Sequence, residues 1–128
     1  MPTSFGRKRV AKATYSFAVD GGAQGTITPA TNALIPKDAI ITAVFVDCTT
    51  NVAPATGATI AINGGGSTLV SAATATAHGL NTGTVKKSLA LASSATAIKA
   101  ASNGYITLTV ATADLTAGVV NIYVEYTV

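Results

Sequence analysis

Apolar and polar residues alternate along several short segments of this chain, with the period of two that is typical of half-buried β-strands. Within residues 105–111, the residues predicted to face inward are Ile106, Leu108 and Val110. The last segment, residues 119–128, places on one face Val120, Ile122, Val124, Tyr126 and Val128. The pattern therefore predicts strands, and it contains no convincing amphipathic helix.

The longest strand-like segment covers residues 34–51. Pro36 suits its start, because a residue without an N–H belongs outside the hydrogen-bonded ladder of a sheet. Strict alternation places on one face Ile40, Thr42, Val44, Val46 and Cys48, and on the other Ile41, Ala43, Phe45 and Asp47. Since both faces are largely apolar over residues 40–46, we expect a central strand that is covered on both sides.

Three other regions complete the prediction. A first strand has an apolar face made of Ala11, Ala13, Tyr15, Phe17 and Val19, and residues 25–28 form a short second strand. Residues 58–63 and 67–73 form the clearest hairpin, because the glycines at 64–66 tolerate the positive φ angles of tight turns. Residues 74–97 have the weakest pattern, and within them 84–92 are predicted to form a strand or one helical turn. Lys86 and Lys87 are expected at a solvated sheet edge. Residues 97–100 are a further candidate for a short strand.

About eight short strands separated by turns predict an all-β fold, an antiparallel sandwich of two sheets. The sequence leaves open whether the connection order is that of a jelly roll or of an immunoglobulin-like domain. A length of 128 residues suits one domain. We therefore divide the chain into an N-terminal basic arm, residues 1–12, and a single sandwich domain, residues 13–128.

Charge is concentrated in that arm. The chain has a net charge of +3, to which Arg7, Lys8, Arg9 and Lys12 contribute +4, so residues 13–128 sum to −1 (four lysines against five acids). The arm is a solvated tail, a docking segment for an acidic protein surface, or a nucleic-acid contact. Four charges without a basic face are a small footprint, so we expect no nucleic acid as a partner. Charged residues are only 10% of the chain, which favours a protein that is assembled with others.

Residues suited to catalysis or metal binding are few. Cys48 falls on a predicted buried face, where it behaves as a small hydrophobe, and His78 is expected in an exposed loop. One histidine and one cysteine thirty positions apart do not predict a metal site, and the five acids are scattered singly. We expect no enzyme activity, no metal and no cofactor.

Two tyrosines are the best interface candidates. Tyr123 and Tyr126 lie on opposite faces of the last predicted strand, so one of them faces a partner or solvent. No apolar segment approaches the length of a membrane span, and the N-terminus lacks the apolar core of a signal peptide. We therefore expect synthesis in the cytoplasm and no membrane partner.

Two segments resemble a known family. The sequences LIPKDAIITAVFVD at 34–47 and LTAGVVNIYVEY at 115–126 are similar to the small all-β proteins of tailed-bacteriophage structural gene clusters. Those proteins pair an L-P-x-G-A-x-[IV] strand entry with a closing LTAG…V.VEY strand. The GATIAI segment fits as well, whereas Asp38 stands where the pattern has glycine.

The resemblance implies a function without catalysis. Several such proteins are capsid decoration, or cement, proteins that bind and stabilise the outside of the shell. It therefore implies a virion protein on the capsid surface, a homotrimer whose partner is the major capsid protein. The candidate contact residues are Arg7, Lys8, Arg9, Lys12, Tyr123 and Tyr126. The alternatives are a tail, neck or fibre-base component, and an adhesin-like module that binds the host.

Overall fold

The computed structural model describes residues 8–80, 87–92 and 97–128. Over these residues the chain forms eleven strands and two single-turn helices. In chain order they are β1 Lys8–Ser16, α1 Phe17–Asp20, β2 Gly25–Ile27, β3 Leu34–Ile35, β4 Ile40–Ala53, β5 Thr59–Gly64, β6 Ser67–Thr74, α2 Ala75–His78, β7 Lys87–Leu89, β8 Ile98–Lys99, β9 Gly104–Tyr105, β10 Thr107–Ala111 and β11 Ala117–Thr127.

Two antiparallel sheets contain most of these strands. One sheet has the order β1-β11-β4-β7, with β8 also paired to β4, and the other has the order β2-β10-β5-β6. Within these two rows β1 pairs with β11, β2 with β10, β4 with β7, and β5 with β6. The first of the eight strands thus pairs with the last, the second with the last but one, and so on inward. That nesting is the jelly-roll order, so the predicted sandwich is confirmed and its connection order is now defined.

The core lies between the two sheets and is built from the inward residues of alternating strands. From β11 these are Val120, Ile122, Val124 and Tyr126, as the sequence predicted, whereas Val128 is about half exposed. Ile106, Leu108 and Val110 are buried as predicted. Cys48 is buried too, and its Sγ donates to the carbonyl oxygen of Leu80 at 3.0 Å. Burial raises the pKa of the Cys48 thiol, which disfavours the reactive thiolate.

Strand β4 departs from the strict alternation that the sequence analysis assumed. Tyr126 pairs with Ile41 and Glu125 pairs with Ala43, so Thr42 is an extra residue in a β-bulge. The bulge reverses the alternation, so that Ile41 enters the core and Ile40 is exposed. The assignment of Ile40 to the face of Val44 was therefore wrong. The strand itself begins at Ile40, while Leu34 and Ile35 form the separate strand β3.

The first strand ends earlier than predicted. Phe17 and Val19 lie in α1 and are exposed, because the chain turns away from the sheet after Ser16. The turn is held by Tyr15, whose hydroxyl donates to the carbonyl oxygen of Gly21 at 2.6 Å. Asp20 accepts from the backbone N–H of Ser16 at 3.0 Å and from that of Ala30 at 2.9 Å. These local bonds end the strand at a position that the hydrophobic pattern does not reveal.

The predicted glycine hairpin is confirmed, with β5 and β6 joined through Gly65 and Gly66, both of which have positive φ. Asp38 has a φ of 69°, in the left-handed region that favours glycine. The phage proteins that the segment at 34–47 resembles have glycine at that position, and glycine adopts this conformation freely. Asp is one of the few other residues that adopt it at modest cost.

The region of weakest pattern contains α2, and the expectation for His78 was wrong. His78 is buried, and its Nε2 lies 2.7 Å from the carbonyl oxygen of Ile60, where a protonated Nε2 donates a hydrogen bond. The predicted strand at 97–100 is confirmed as β8, and part of 84–92 forms β7. Lys86 lies outside the described residues. Within the part of the chain that the structure describes, no helix has the length and apolar character needed to cross a membrane.

Gly22 provides a test of the packing between loops. It is buried, and its carbonyl oxygen accepts from the N–H of Leu115 at 2.7 Å. A Cβ at this position would overlap the backbone of Leu115, which cannot rotate away as a side chain can. We expect Gly22→Ala to lower the free energy of unfolding by about 1–3 kcal/mol in urea denaturation. Ala23→Ser, at the exposed neighbouring position, should stay within about 0.5 kcal/mol of the parent; equal effects would contradict the predicted overlap.

Candidate interaction surface

The predicted contact residues of the arm lie in β1, except for Arg7, which is outside the described residues. β1 pairs with β11 in antiparallel register, with Lys8 opposite Thr127, Arg9 opposite Tyr126 and Lys12 opposite Tyr123. Residues 8–12 are thus an integral part of the sheet, at its edge. The division of the chain into an arm and a domain stays a prediction, but its described part is a strand.

The two tyrosines lie on opposite faces, as predicted. Tyr126 belongs to the core and is 8% exposed, whereas Tyr123 is half-buried on the face that is turned away from the core. The Nζ of Lys12 lies 5.6 Å from the centroid of the Tyr123 ring, within the range of a cation–π contact. Of the two candidates, Tyr123 is therefore the one available to a partner.

Residues that pair across antiparallel strands share a face of the sheet, so the register defines the whole surface around Tyr123. One row runs Lys12, Tyr123, Phe45, Ser88, and the next runs Val10, Glu125, Ala43. We call this surface the outer face. It consists of Lys8, Val10, Lys12 and Thr14 from β1, Asn121, Tyr123, Glu125 and Thr127 from β11, and Ile40, Ala43, Phe45 and Asp47 from β4.

The exposure of the outer face shows that one prediction about β4 was wrong. Ala43, Phe45 and Asp47 are half-buried by their neighbours in the sheet, whereas the sequence analysis expected this side of β4 to be covered. Phe45, Val10 and Ile40 are the interface candidates that the sequence analysis missed. The signal was present in the alternation, because Phe45 is out of phase with Val44 and Val46. The sequence analysis interpreted this out-of-phase phenylalanine as a second core residue, whereas Phe45 lies on the outer face.

Polar contacts order the same face. Lys8 Nζ lies 3.4 Å from Glu125 Oε1, and the hydroxyl of Thr14 donates to Asn121 Oδ1 at 2.8 Å. The Lys8 side chain is 65% exposed, so this ion pair contributes little to stability. The pair places the Lys8 ammonium beside the Glu125 carboxylate on the outer face.

The free side of β1 is closed along only half of its length. The backbone N–H of Thr14 donates to the carbonyl oxygen of Thr31 at 3.0 Å, and that of Ser16 donates to Asp20. Between Lys8 and Ala13, the described residues supply no such partner on this side. Val10 is correspondingly 58% exposed.

The described residues offer little support for a metal site or a small-molecule site. Over residues 8–80, 87–92 and 97–128, no three His, Cys, Asp or Glu side chains come together in a way that could hold a metal ion. A void in the core, lined by apolar side chains such as Ile122 and Val46, measures about 10 Å³, less than a ligand needs. A groove of about 500 Å³ is lined by residues such as Val70, His78 and Leu89, and in its described lining His78 is the only titratable side chain. The outer face and the open edge are therefore the candidate features.

Comparison with known proteins identifies solved structures that have the same fold. No family model matches the sequence, and no curated protein is significantly similar to it. Among solved structures, a chain of the cyanophage Pam1 capsid asymmetric unit superposes with a TM-score of 0.62 at 21% identity, covering 100% of this chain and 89% of that one. The fold is one found in phage capsids.

A second capsid has the same fold. A chain in the acidic stable capsid structure of Helicobacter pylori bacteriophage KHP30 matches with a TM-score of 0.56 at 15% identity, covering 97% of this chain and 90% of that one. Because about nine-tenths of each matched chain is covered, both are close to this chain in length. The match therefore extends over the whole jelly roll and is not confined to one sheet.

Proposed function

We propose that this chain is a structural protein of a phage virion, without catalytic activity, that binds the outer surface of the capsid and stabilises it as a decoration protein. The observation that supports this function best is the full-length match to chains of similar size in two phage capsid structures. The segments at 34–47 and 115–126, which resemble phage structural proteins, contribute β4 and β11 to the sheet that carries the outer face.

In this proposal the outer face docks on the major capsid protein. Tyr123 and Phe45 form an aromatic centre, the residue type most enriched at interface centres, and Lys8, Lys12 and Glu125 form a polar surround. Arg7, Lys8, Arg9 and Lys12 would attract an acidic shell surface, so binding would weaken as salt is added.

Symmetry would strengthen weak contacts. A homotrimer placed on a three-fold axis of the shell presents three equivalent copies of the docking face. Once one copy binds, the other two meet their sites at high effective concentration. Modest affinity at each face is then sufficient for lasting retention on the particle.

Copy number tests the assignment to the capsid. We expect quantitative mass spectrometry of purified virions to give a ratio to the major shell protein within a small factor of one. A ratio lower by about an order of magnitude would contradict decoration and favour the tail, neck or fibre base. Absence from the particle would contradict any structural function in the virion.

A matched pair of tyrosine variants tests the docking face. Tyr123→Ala should reduce retention on shells that lack this protein by about tenfold or more, because truncation of an aromatic hot spot at an interface centre typically costs about 2 kcal/mol or more. Tyr105→Ala is the control, since Tyr105 is 54% exposed on β9, outside the outer face. Equal losses for the two variants, measured by co-sedimentation, would contradict docking through this face.

The pairing of β1 with β11 determines how the arm should be tested. Removal of residues 1–12 would take Lys8 to Lys12 out of the sheet and uncover the core beside Ala11, which is buried. We therefore expect that truncation to disrupt the sandwich. Removal of residues 1–7 spares β1 and is the sharper test of the contribution of Arg7 and its neighbours.

A further inference from the structure

We propose that the N-terminal half of β1, from Lys8 to Lys12, accepts a strand from a partner, and that this strand is an extended acidic segment of a different protein. The inference rests on the proposed function only for the identity of that protein, the major capsid protein. Its geometric basis is the direction of the backbone groups along β1.

Those directions follow from two hydrogen bonds. In an antiparallel strand, successive residues direct their N–H and C=O groups alternately to one neighbour and to the other. The N–H groups of Thr14 and Ser16 bond to Thr31 and Asp20, on the side away from β11. By the same alternation, Lys8, Val10 and Lys12 direct their N–H and C=O groups to that side. These three donors and three acceptors have no partner on that side among the described residues, and they form an open edge.

The edge is restricted to this half of the strand. Thr31 and Asp20 close it from Thr14 onward, so an added strand can extend over about five residues. The described contacts leave residues 8–12 exposed except for the inward-facing Ala11. A partially closed edge therefore defines both the place and the length of an added strand.

Self-pairing is opposed by charge. If two copies paired about Val10, Lys8 of one copy would lie opposite Lys12 of the other, and like charges directly opposite are destabilising. The other strands at sheet edges do not supply an acidic match either. In the described part of the chain these are β2, β3, β6 and β9, which have no charged residue, and β7 and β8, which contain Lys87 and Lys99. Lysines at an open edge are a known safeguard against such self-association.

The partner strand is specified by the side chains that it would meet. Residues opposite Lys8 and Lys12 lie on the outer face and should be acidic, while the residue opposite Val10 should be apolar. Arg9 emerges on the other face beside Tyr126 and favours a further acid there. The expected pattern is acid, any residue, apolar, any residue, acid, in an extended segment.

A peptide experiment tests strand addition with the full-length chain. The probe is the capped peptide acetyl-Thr-Glu-Thr-Val-Thr-Glu-Thr-amide, and its control has lysine in place of both glutamates. On binding, the amide protons of Val10 and Lys12 should become protected from hydrogen exchange. Those of Ala11 and Ala13, which face β11, should already be protected in the free protein. Protection by the lysine peptide to the same degree would overturn the acidic partner.

Two variants separate backbone pairing from charge. Val10→Pro removes an N–H that points away from β11, so the β1–β11 ladder is retained, and peptide affinity should fall about tenfold or more. Unchanged protection of Ala11 and Ala13 would verify that the sheet is intact. Lys12→Glu should weaken binding of the acidic peptide, whereas Lys37→Glu, on an exposed loop, should not. Undiminished binding by Val10→Pro would overturn strand pairing.

The failures of the two proposals are distinguishable. Shell binding that persists in Val10→Pro, without peptide binding by the parent, would overturn strand addition and leave the decoration function standing. Peptide binding without shell binding would overturn the decoration function and support the edge as a site for another acidic strand.

Discussion

Replacing Ile122 with alanine is expected to lower the free energy of unfolding by about 2–5 kcal/mol. Ile122 is 1% exposed at the centre of β11, where its cross-strand partners Ala13 and Val46 are both fully buried. The substitution removes three carbon atoms from a site that also borders the small void in the core. The surrounding strands are held by their ladders on both sides of β11, so they cannot collapse to fill the space.

Urea denaturation measures this loss, and Thr127→Ala is the matched control on the outer face of the same strand. The control should stay within about 0.5 kcal/mol of the parent, because the site is near the strand end and half-buried. A loss below about 1 kcal/mol for Ile122→Ala would contradict a tightly packed core at this level of the sandwich.

Raising the pH from 10 to 12 is expected to remove roughly 2 kcal/mol of stability through Tyr15 alone, which is most of the full effect of a shift of about two pKa units. Burial, with a smaller contribution from the negative charge of Asp20, raises the pKa of Tyr15 to about 12. The unfolded chain releases this proton near pH 10 and the folded chain only near 12. Between those values the unfolded state binds fewer protons, so stability falls as pH rises.

Tyr15→Phe isolates this effect from the titration of lysines and the other tyrosines. The variant should lose about 1–2 kcal/mol at neutral pH, because the carbonyl oxygen of Gly21 loses its hydroxyl donor. Its stability should then decline less steeply than that of the parent above pH 10, in urea titrations at a series of pH values. Parallel declines would show that Tyr15 does not titrate as its burial requires.

The sheet-forming part of the fold was predictable because its signals are local and periodic. The alternation in β10 and β11 identified their inward residues, and the glycines between β5 and β6 identified their hairpin. The jelly-roll order was not predictable, because it depends on which distant strands meet. The pairings of β1 with β11, of β2 with β10 and of β4 with β7 define it, and each joins strands that are far apart in sequence.

The errors arose where a bulge or a helical turn interrupts the alternation of apolar and polar residues. The bulge at Thr42 moved Ile40 to the surface, and nothing in the alternation of β4 marks it. His78 was expected in a loop because it lies between small residues, yet α2 turns it inward to a carbonyl group of β5. In both places the structure depends on hydrogen bonds between segments that are far apart in sequence.

Some residues of the candidate surface could be predicted from the sequence, but their arrangement could not. Basic residues in the first twelve positions and a tyrosine out of phase on the last strand were visible in the sequence. That Lys12 and Tyr123 meet, and that Phe45 continues their row, required the register of three strands. The open edge required still more, namely the positions at which Thr31 and Asp20 meet β1.

The pairing of Lys8 with Thr127 has a practical consequence for display on particles. Both ends of the described fold emerge at one corner, so a peptide fused after Val128 would be presented beside the open edge and would crowd an incoming strand. The turn at Thr56 and Gly57 is exposed and follows the far end of β4, roughly 30 Å away along β11. If the chain decorates capsids as proposed, a foreign epitope inserted there would be displayed in many copies without obstructing attachment.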